Sequence, residues 1–489
     1  MGLACAIALK RQLGFNNFTI YEKAGDVGGT WWNNTYPGCG CDTPTHWYSL
    51  SSDLNPNWST VTAPQPEVLA YWQDLAVKYG LYGRTVFHTR VLSAVWSAER
   101  QEYDVDTEDV RTGERARTRA RAVVSAVGYL VEPKIPQEFI EKGLGRFKGP
   151  ALHSAEWDHS IDWSGKKVAV IGNSASAAQF IPRLIADPTT HVVNFCRTPN
   201  WFLPGIQNGE YSTWQKWMFA NVPFTLRLYR NWLVTVGLLY ALSSGNTYAT
   251  RQLQAITLAR YIKETAPQRY HDKLVPDYPV ACRRPILDPG YLACLHKPNV
   301  ELVWDSIRDI SDTEITTEKG DTFSADAIIL STGFVTDRCP VNVIGRTGET
   351  LEGYFSHQGG PSAYHGVTVP GFPNFFLVGG PNTVTSLGSA VFTHEIAIDY
   401  MMQLLRPLVD PSPTRLTALS VQPPAHDAYN SHLQERMGAT TYVSCASWYR
   451  AGADGRGKNF GIFPGSLLSF WWLMRKVRWE DYFLERSCS

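Results

Sequence analysis

Apolar and polar positions along this chain follow two rhythms. Residues 3–10, Leu-Ala-Cys-Ala-Ile-Ala-Leu-Lys, carry the three-to-four-residue period of a helix with one buried face. Phe18-Thr19-Ile20-Tyr21-Glu22 then reads as a strand that ends in an acid. Lys167-Val168-Ala169-Val170-Ile171 is a second short apolar run, and an Ala-rich helical segment opens directly after Gly172-Asn173-Ser174-Ala175-Ser176-Ala177. Further apolar runs that end in glycine turns occur at 123–128, 328–333 and 373–380. Strands alternating with helices in this way predict an α/β fold with parallel sheets. Residues from about 210 to 274 look different: helical, aromatic and without strand signals. No tandem repeat or long low-complexity tract interrupts the chain.

Both apolar-run-and-helix units have the layout of a dinucleotide-binding βαβ motif. In the first, Gly2 stands where the last glycine of G-x-G-x-x-G belongs, and Glu22 follows 20 residues later, where an acid hydrogen-bonds a ribose. The preceding strand and the first two glycines are absent from the sequence. That points to a start upstream of Met1 and leaves dinucleotide binding by this unit, as written, open. In the second unit Gly172, Ser174 and Ala177 occupy the three glycine positions. Alanine is tolerated at the third by helix packing. Serine at the second departs from the pattern, although its hydroxyl can meet a phosphate. About 20 residues on, Arg197-Thr198 closes a strand, and an Arg there favours the 2′-phosphate of NADP over NAD. Arg283 is a second candidate for that phosphate.

At 489 residues the length suggests two to three domains. Lys plus Arg balances Asp plus Glu at 45 each, so no net field or basic run points to nucleic acid. The nine cysteines are scattered, odd in number and not preceded by a secretory signal. This reads as a reduced, cytoplasmic setting. Cys39 and Cys41 stand too close for a structural disulfide, no metal-ligand spacing appears, and a paired-Cys redox motif is missing. Only residues 232–242 are strongly apolar in the uncharged stretch 231–250, which is too short for a membrane span. For the tail at 467–479, a docked helix with a basic edge is preferred over one lying on a membrane.

Phe147, Gly149, His153 and Trp157 fit F-x-G-x-x-x-H-x-x-x-W, a pattern that chance places here in roughly one such chain in a thousand. This signature resembles that of the type I Baeyer–Villiger monooxygenases, and the likeness extends over nearly the whole chain. Gly28-Gly29-Thr30-Trp31 through Tyr36-Pro37-Gly38 to Asp42 is similar to the family's second signature. The stretch Arg283-Arg284-Pro285 is similar to that around its active-site arginine. The resemblance implies an enzyme that uses FAD, NADPH and O2 to insert one oxygen atom next to a ketone carbonyl, giving an ester or lactone. It implies FAD-binding residues 1–134 and 326–489, with an inserted NADP-binding domain at 135–325 whose helical segment forms a substrate lid. It makes Arg284 the catalytic cation, because a permanently charged guanidinium stabilises negative charge developing on oxygen in a dry site. Asp42 would orient it. Gly29, Thr30, Trp31, Tyr48 and Asn382 would line the flavin, while His153 and Trp157 would couple the domains. The aromatic lid suggests a bulky, apolar ketone from secondary metabolism. A nitrogen- or sulfur-oxidising flavin monooxygenase and a flavin-free binding remnant remain as alternatives.

Overall fold

The computed structural model describes residues 1–206, 208–243, 248–385, 388–412 and 415–486, with side chains other than those of 238–243, 248 and 249. Seven helices organise the site: α1 (Gly2–Leu13), α2 (Ala175–Leu184), α3 (Thr213–Asn221), α4 (Thr225–Ser243), α5 (Tyr248–Thr265), α6 (Ala390–Val409) and α7 (Leu467–Met474).

Helix α1 packs on α6 and buries Ala4 through Leu9, six consecutive residues that run right round the helix rather than along the single face its periodicity predicts. It ends at Gly14, whose positive φ of 61° lets its N–H return to the Leu9 carbonyl as a left-handed cap. The nearby parallel strands form two separate pairs, Ile20–Tyr21 with Thr85–Val86 and Val123–Ser125 with Phe375–Leu377. An antiparallel sheet (Thr89–Ser97, Glu102–Asp109, Arg115–Ala120) is joined by Asn342–Ile344.

The second nucleotide unit is one continuous parallel sheet. Its strand order is Val300–Val303, His191–Phe195, Lys167–Ile171, Ala327–Leu330, Ala151–His153. The two strands near its centre, 167–171 and 327–330, are buried almost throughout, which is why they read as unbroken apolar runs. Ala327–Leu330 lies inside this sheet, so the sheet runs to 330 rather than ending at 325. Buried Asn194 donates to the Val170 and Gly172 carbonyls (3.1 and 2.8 Å), which fixes the turn where a phosphate would bind.

The segment after 210 is helical: Ser212 starts α3 with a capping box to Gln215, and α4 and α5 follow. At the C-terminal end α7 buries Leu467, Phe470 and Met474 against the α6 side and leaves Trp471 and Trp472 exposed. Among the described residues no helix is long and apolar enough to cross a membrane.

Candidate active site

The turn at Gly172 shows why glycine is needed there. Its φ is 105°, and a Cβ would sit 2.4 Å from the Ser331 carbonyl oxygen. Ser174 then caps α2 without a side-chain cap bond, so its exposed hydroxyl and the first amides of α2 are free for an anion. Ala177 is fully buried. Asn173 donates to the Thr198 carbonyl (3.2 Å), and Asn200 donates back to the Asn173 carbonyl (3.1 Å). Arg197 extends into solvent, 83% exposed, with a loose ion pair to Glu138 at 3.7 Å. Arg283 packs over Tyr278, whose hydroxyl donates to the Pro199 carbonyl. Both arginines therefore flank the 197–200 segment. A glycine turn, a helix N-terminus and two nearby cations fit a phosphorylated dinucleotide.

On the flavin side Gly28 and Gly29 both take positive φ, 131° and 55°, and a Cβ on Gly28 would lie 2.4 Å from Leu69 Cδ1. Gly29 opens a single helical turn, Thr30–Asn33, and the Thr30 carbonyl accepts from the Asn34 side chain. Trp31 Nε1 donates to the Tyr48 hydroxyl at 3.3 Å, with the two rings edge to face. Burial raises the Tyr48 phenol above its ordinary value. Glu22 ends its strand with its carboxylate accepting the Ala24 N–H. Gly2 opens α1 with ordinary contact room: a Cβ there would be 3.7 Å from Ala126. The Asn382 amide group donates to the Asn459 and Ile462 carbonyls, so its side chain braces the C-terminal stretch. The two glycines and the adjacent aromatic pair fit a flat cofactor held against backbone.

Arg284 and Asp42, 242 residues apart in sequence, meet directly: Nη2 donates to Oδ2 at 2.5 Å. Both remain reachable, with side chains 54% and 36% exposed. The negative charge of Asp42 raises the Arg284 guanidinium further above its usual value. Tyr449 lies within electrostatic reach; burial pushes its phenol up, and Arg284 opposes that.

Each partner is held from an unexpected direction. The Asp42 loop docks on α2: Tyr36 donates to Gln179 Oε1 (2.8 Å), and Gln179 Nε2 donates to the Gly40 carbonyl (3.0 Å). Gly38, at φ 80°, is so close that a Cβ would be 2.6 Å from the Gln179 carbonyl oxygen. Arg284 follows Cys282, and Cys282 is disulfide-bonded to Cys445. This corrects the expectation of uniformly reduced cysteines. The 163-residue separation hides a pair that the fold brings to a Cα–Cα distance of 6.0 Å. Arg283 adds a second tie, donating from Nε to the Ala446 carbonyl (2.8 Å).

The four signature residues lie on and around Ala151–His153, the edge strand of the parallel sheet. Gly149 passes so near Asp326 that a Cβ would be 2.3 Å from its carbonyl oxygen, and the half-turn also holds Phe147 in the core. His153 is 1% exposed, accepts the Ala155 N–H and packs edge-on to Phe334. Burial lowers its pKa. Trp157 packs between Trp163 and Phe180 of α2.

Sequence reasoning missed Gln179 and His46. Gln179 leaves a trace: it is a polar residue flanked in α2 by buried Ala177, Ala178, Phe180 and Ile181. His46 leaves none. It is fully buried on the Asp42-side loop, ringed by Tyr211, Phe219 and Tyr229 of the helical segment after 210, and neither ring nitrogen has a hydrogen-bond partner.

Comparison with known proteins matches this geometry to a family. The model for flavin-binding monooxygenase-like proteins covers residues 52–335, and one for an NAD(P)-binding Rossmann-like domain covers residues 1–64. A Baeyer–Villiger monooxygenase of Streptomyces coelicolor is 34% identical over 495 residues, spanning 98% of this chain and 90% of its own. One from Pseudomonas aeruginosa is also 34% identical, spanning 99% and 89%. A solved structure of oxidised steroid monooxygenase bound to NADP superposes with a TM-score of 0.85 at 26% identity, covering 99% of this chain and 97% of that one. The closed structure of cyclohexanone monooxygenase gives 0.86 at 24% identity over the same shares, a likeness of fold. The chain belongs to the flavin-binding monooxygenase-like family, among its Baeyer–Villiger monooxygenases.

Proposed function

We propose that the cleft around Arg284 and Asp42 inserts one oxygen atom of O2 beside the carbonyl of a bulky, apolar ketone, giving an ester or lactone. The observation that carries this is the Arg284–Asp42 pair itself: a fixed cation, still reachable, held by a carboxylate between the two nucleotide units. FAD and NADP are the cofactors of this flavoprotein; when bound, NADP in its reduced form would supply the electrons and the flavin would activate O2. Gly28, Gly29, Thr30, Trp31 and Tyr48 would hold the flavin. Gly172, Ser174, Arg197 and Arg283 would hold the phosphates of NADP.

Arg284 stays charged at every working pH and stabilises negative charge that develops on the substrate oxygen as its carbonyl is attacked. Asp42 fixes the guanidinium plane. With the cation held in advance, little reorganisation is needed during reaction. The aromatic lid helices supply an apolar wall that excludes water and matches an apolar substrate.

The experiment is Arg284→Ala, assayed twice. Ester formation should fall roughly 10²- to 10³-fold, the scale for losing one oxyanion-stabilising donor. Bleaching of the bound flavin by NADPH should persist. Normal ester yield from the variant would refute the assignment.

A further inference from the structure

The helical segment after residue 210 is apolar on two sides. Its inner side is occupied: Phe219 and Tyr229 pack on His46, and Gly237 lies against the Trp47 ring. Among the described residues its outer side is uncovered. Trp214, Trp217, Phe224, Leu228 and Trp232 are 64, 57, 76, 66 and 57% exposed. From Phe224 the large apolar residues recur every four positions, through Leu228 and Trp232 to Val236, so along α4 they form one stripe. Exposed single aromatics are ordinary on a protein surface, but a continuous stripe marks a contact face.

Charge decides what it contacts. Residues 211–263 contain no Asp or Glu, and they carry Lys216, Arg227, Arg230, Arg251, Arg260 and Lys263. Arg230 is turned inward, bonded to Ser51 and paired with Glu395. Arg227 remains exposed among the outer apolar residues. Beside it a cavity of about 580 Å³ opens, lined by Leu54, Val222, Pro223 and Phe224 with Arg227 among them. A second copy of the chain is a poor occupant, because a two-fold contact would press this acid-free basic face against itself. Tryptophans beside cations and an absence of acids suit a layer of anionic headgroups over hydrocarbon.

We propose that the outer face of α3 and α4 docks on the surface of an anionic lipid bilayer. Trp214, Trp217, Phe224 and Trp232 enter the headgroup region while Lys216 and Arg227 meet lipid phosphates. The contact is peripheral.

The test is co-sedimentation of the full chain with phosphatidylcholine vesicles, with and without phosphatidylserine. Binding should require phosphatidylserine and fall steeply with added salt. Phe224→Asp with Trp232→Asp should lower the partition coefficient at least roughly tenfold. Lys216→Gln with Arg227→Gln is the milder arm, less prone to disturb folding, and should lower it roughly twenty-five-fold, since each cation near an anionic surface is worth about fivefold. The proposal is overturned if the unaltered chain fails to sediment with phosphatidylserine vesicles or if both double variants bind unchanged. It is also overturned if Trp472→Asp on α7 abolishes binding while the lid variants do not. Vesicle-independent self-association that the lid variants remove would assign the face to a second copy and overturn it as well.

Discussion

Breaking the Cys282–Cys445 bond perturbs the anchorage of the catalytic arginine without touching the arginine itself. The bond closes a loop with a sequence separation of 163 residues. Chain-entropy arguments give about 5 kcal/mol for a loop of that length, and real cross-links deliver more commonly about 2–4 kcal/mol. A chain of 489 residues unfolds with an entropy of about 1 kcal/mol per kelvin, taking about 2.1 cal/mol/K per residue. Losing about 3 kcal/mol should therefore lower Tm by about 3 °C. The assay is differential scanning calorimetry of the purified protein with and without reductant, beside Cys445→Ser. The unaltered protein should lose those degrees on reduction, and the variant should begin at the lower value and not respond. A non-reducing digest should contain the linked peptides. If that peptide is absent, or if Cys445→Ser melts with the oxidised protein, the clasp contributes nothing and the reasoning fails.

Gly172→Ala forces a side chain into φ 105° with its Cβ 2.4 Å from the Ser331 carbonyl oxygen, so stability should fall by about 1–3 kcal/mol and KM for NADPH should rise. Thermal melts and NADPH saturation curves check both. Arg197→Ala should raise KM for NADPH while leaving that for NADH nearly unchanged, because only the former carries the 2′-phosphate; equal effects on both would remove Arg197 from that site. Acid should destabilise the fold through its buried histidines, among them two that burial pushes far down, His46 to about 4 and His365 to about 3. The unfolded chain binds a proton at each below about pH 6.5 and the folded chain does not, so stability is lost as pH falls from 6.5 toward those values. At pH 5 the loss is about 2 kcal/mol per histidine. Denaturant midpoints at pH 7 and pH 5 measure it, and His46→Phe should remove one share.

Local patterns carried much of this picture. The α1 helix, the strand at 167–171 and the glycine at its turn leave local signals in periodicity and residue type, even though their packing partners lie far along the chain. The long-range ties had no such signal. Asp42 and Arg284 are 242 residues apart, and only resemblance to known chains brought them together before the fold did. Cys282 and Cys445 carry nothing locally that pairs them. His46 looks like any loop histidine until three aromatics of the helical segment after 210 close around it. Polar residues owe their burial to partners that propensity does not encode.

The anchors of the charge pair are crossed. Asp42 belongs to the N-terminal unit, yet Tyr36 and Gly40 of its loop are bonded to Gln179 of the other. Arg284 belongs to that other unit, yet Cys282 and Arg283 moor it to residues 445 and 446. The salt bridge thus lies inside a clasp closed from both sides. Parting cation from carboxylate would mean straining the Gln179 bonds or the Cys282–Cys445 link as well, so the charge that the chemistry requires is held by more than its own ion pair.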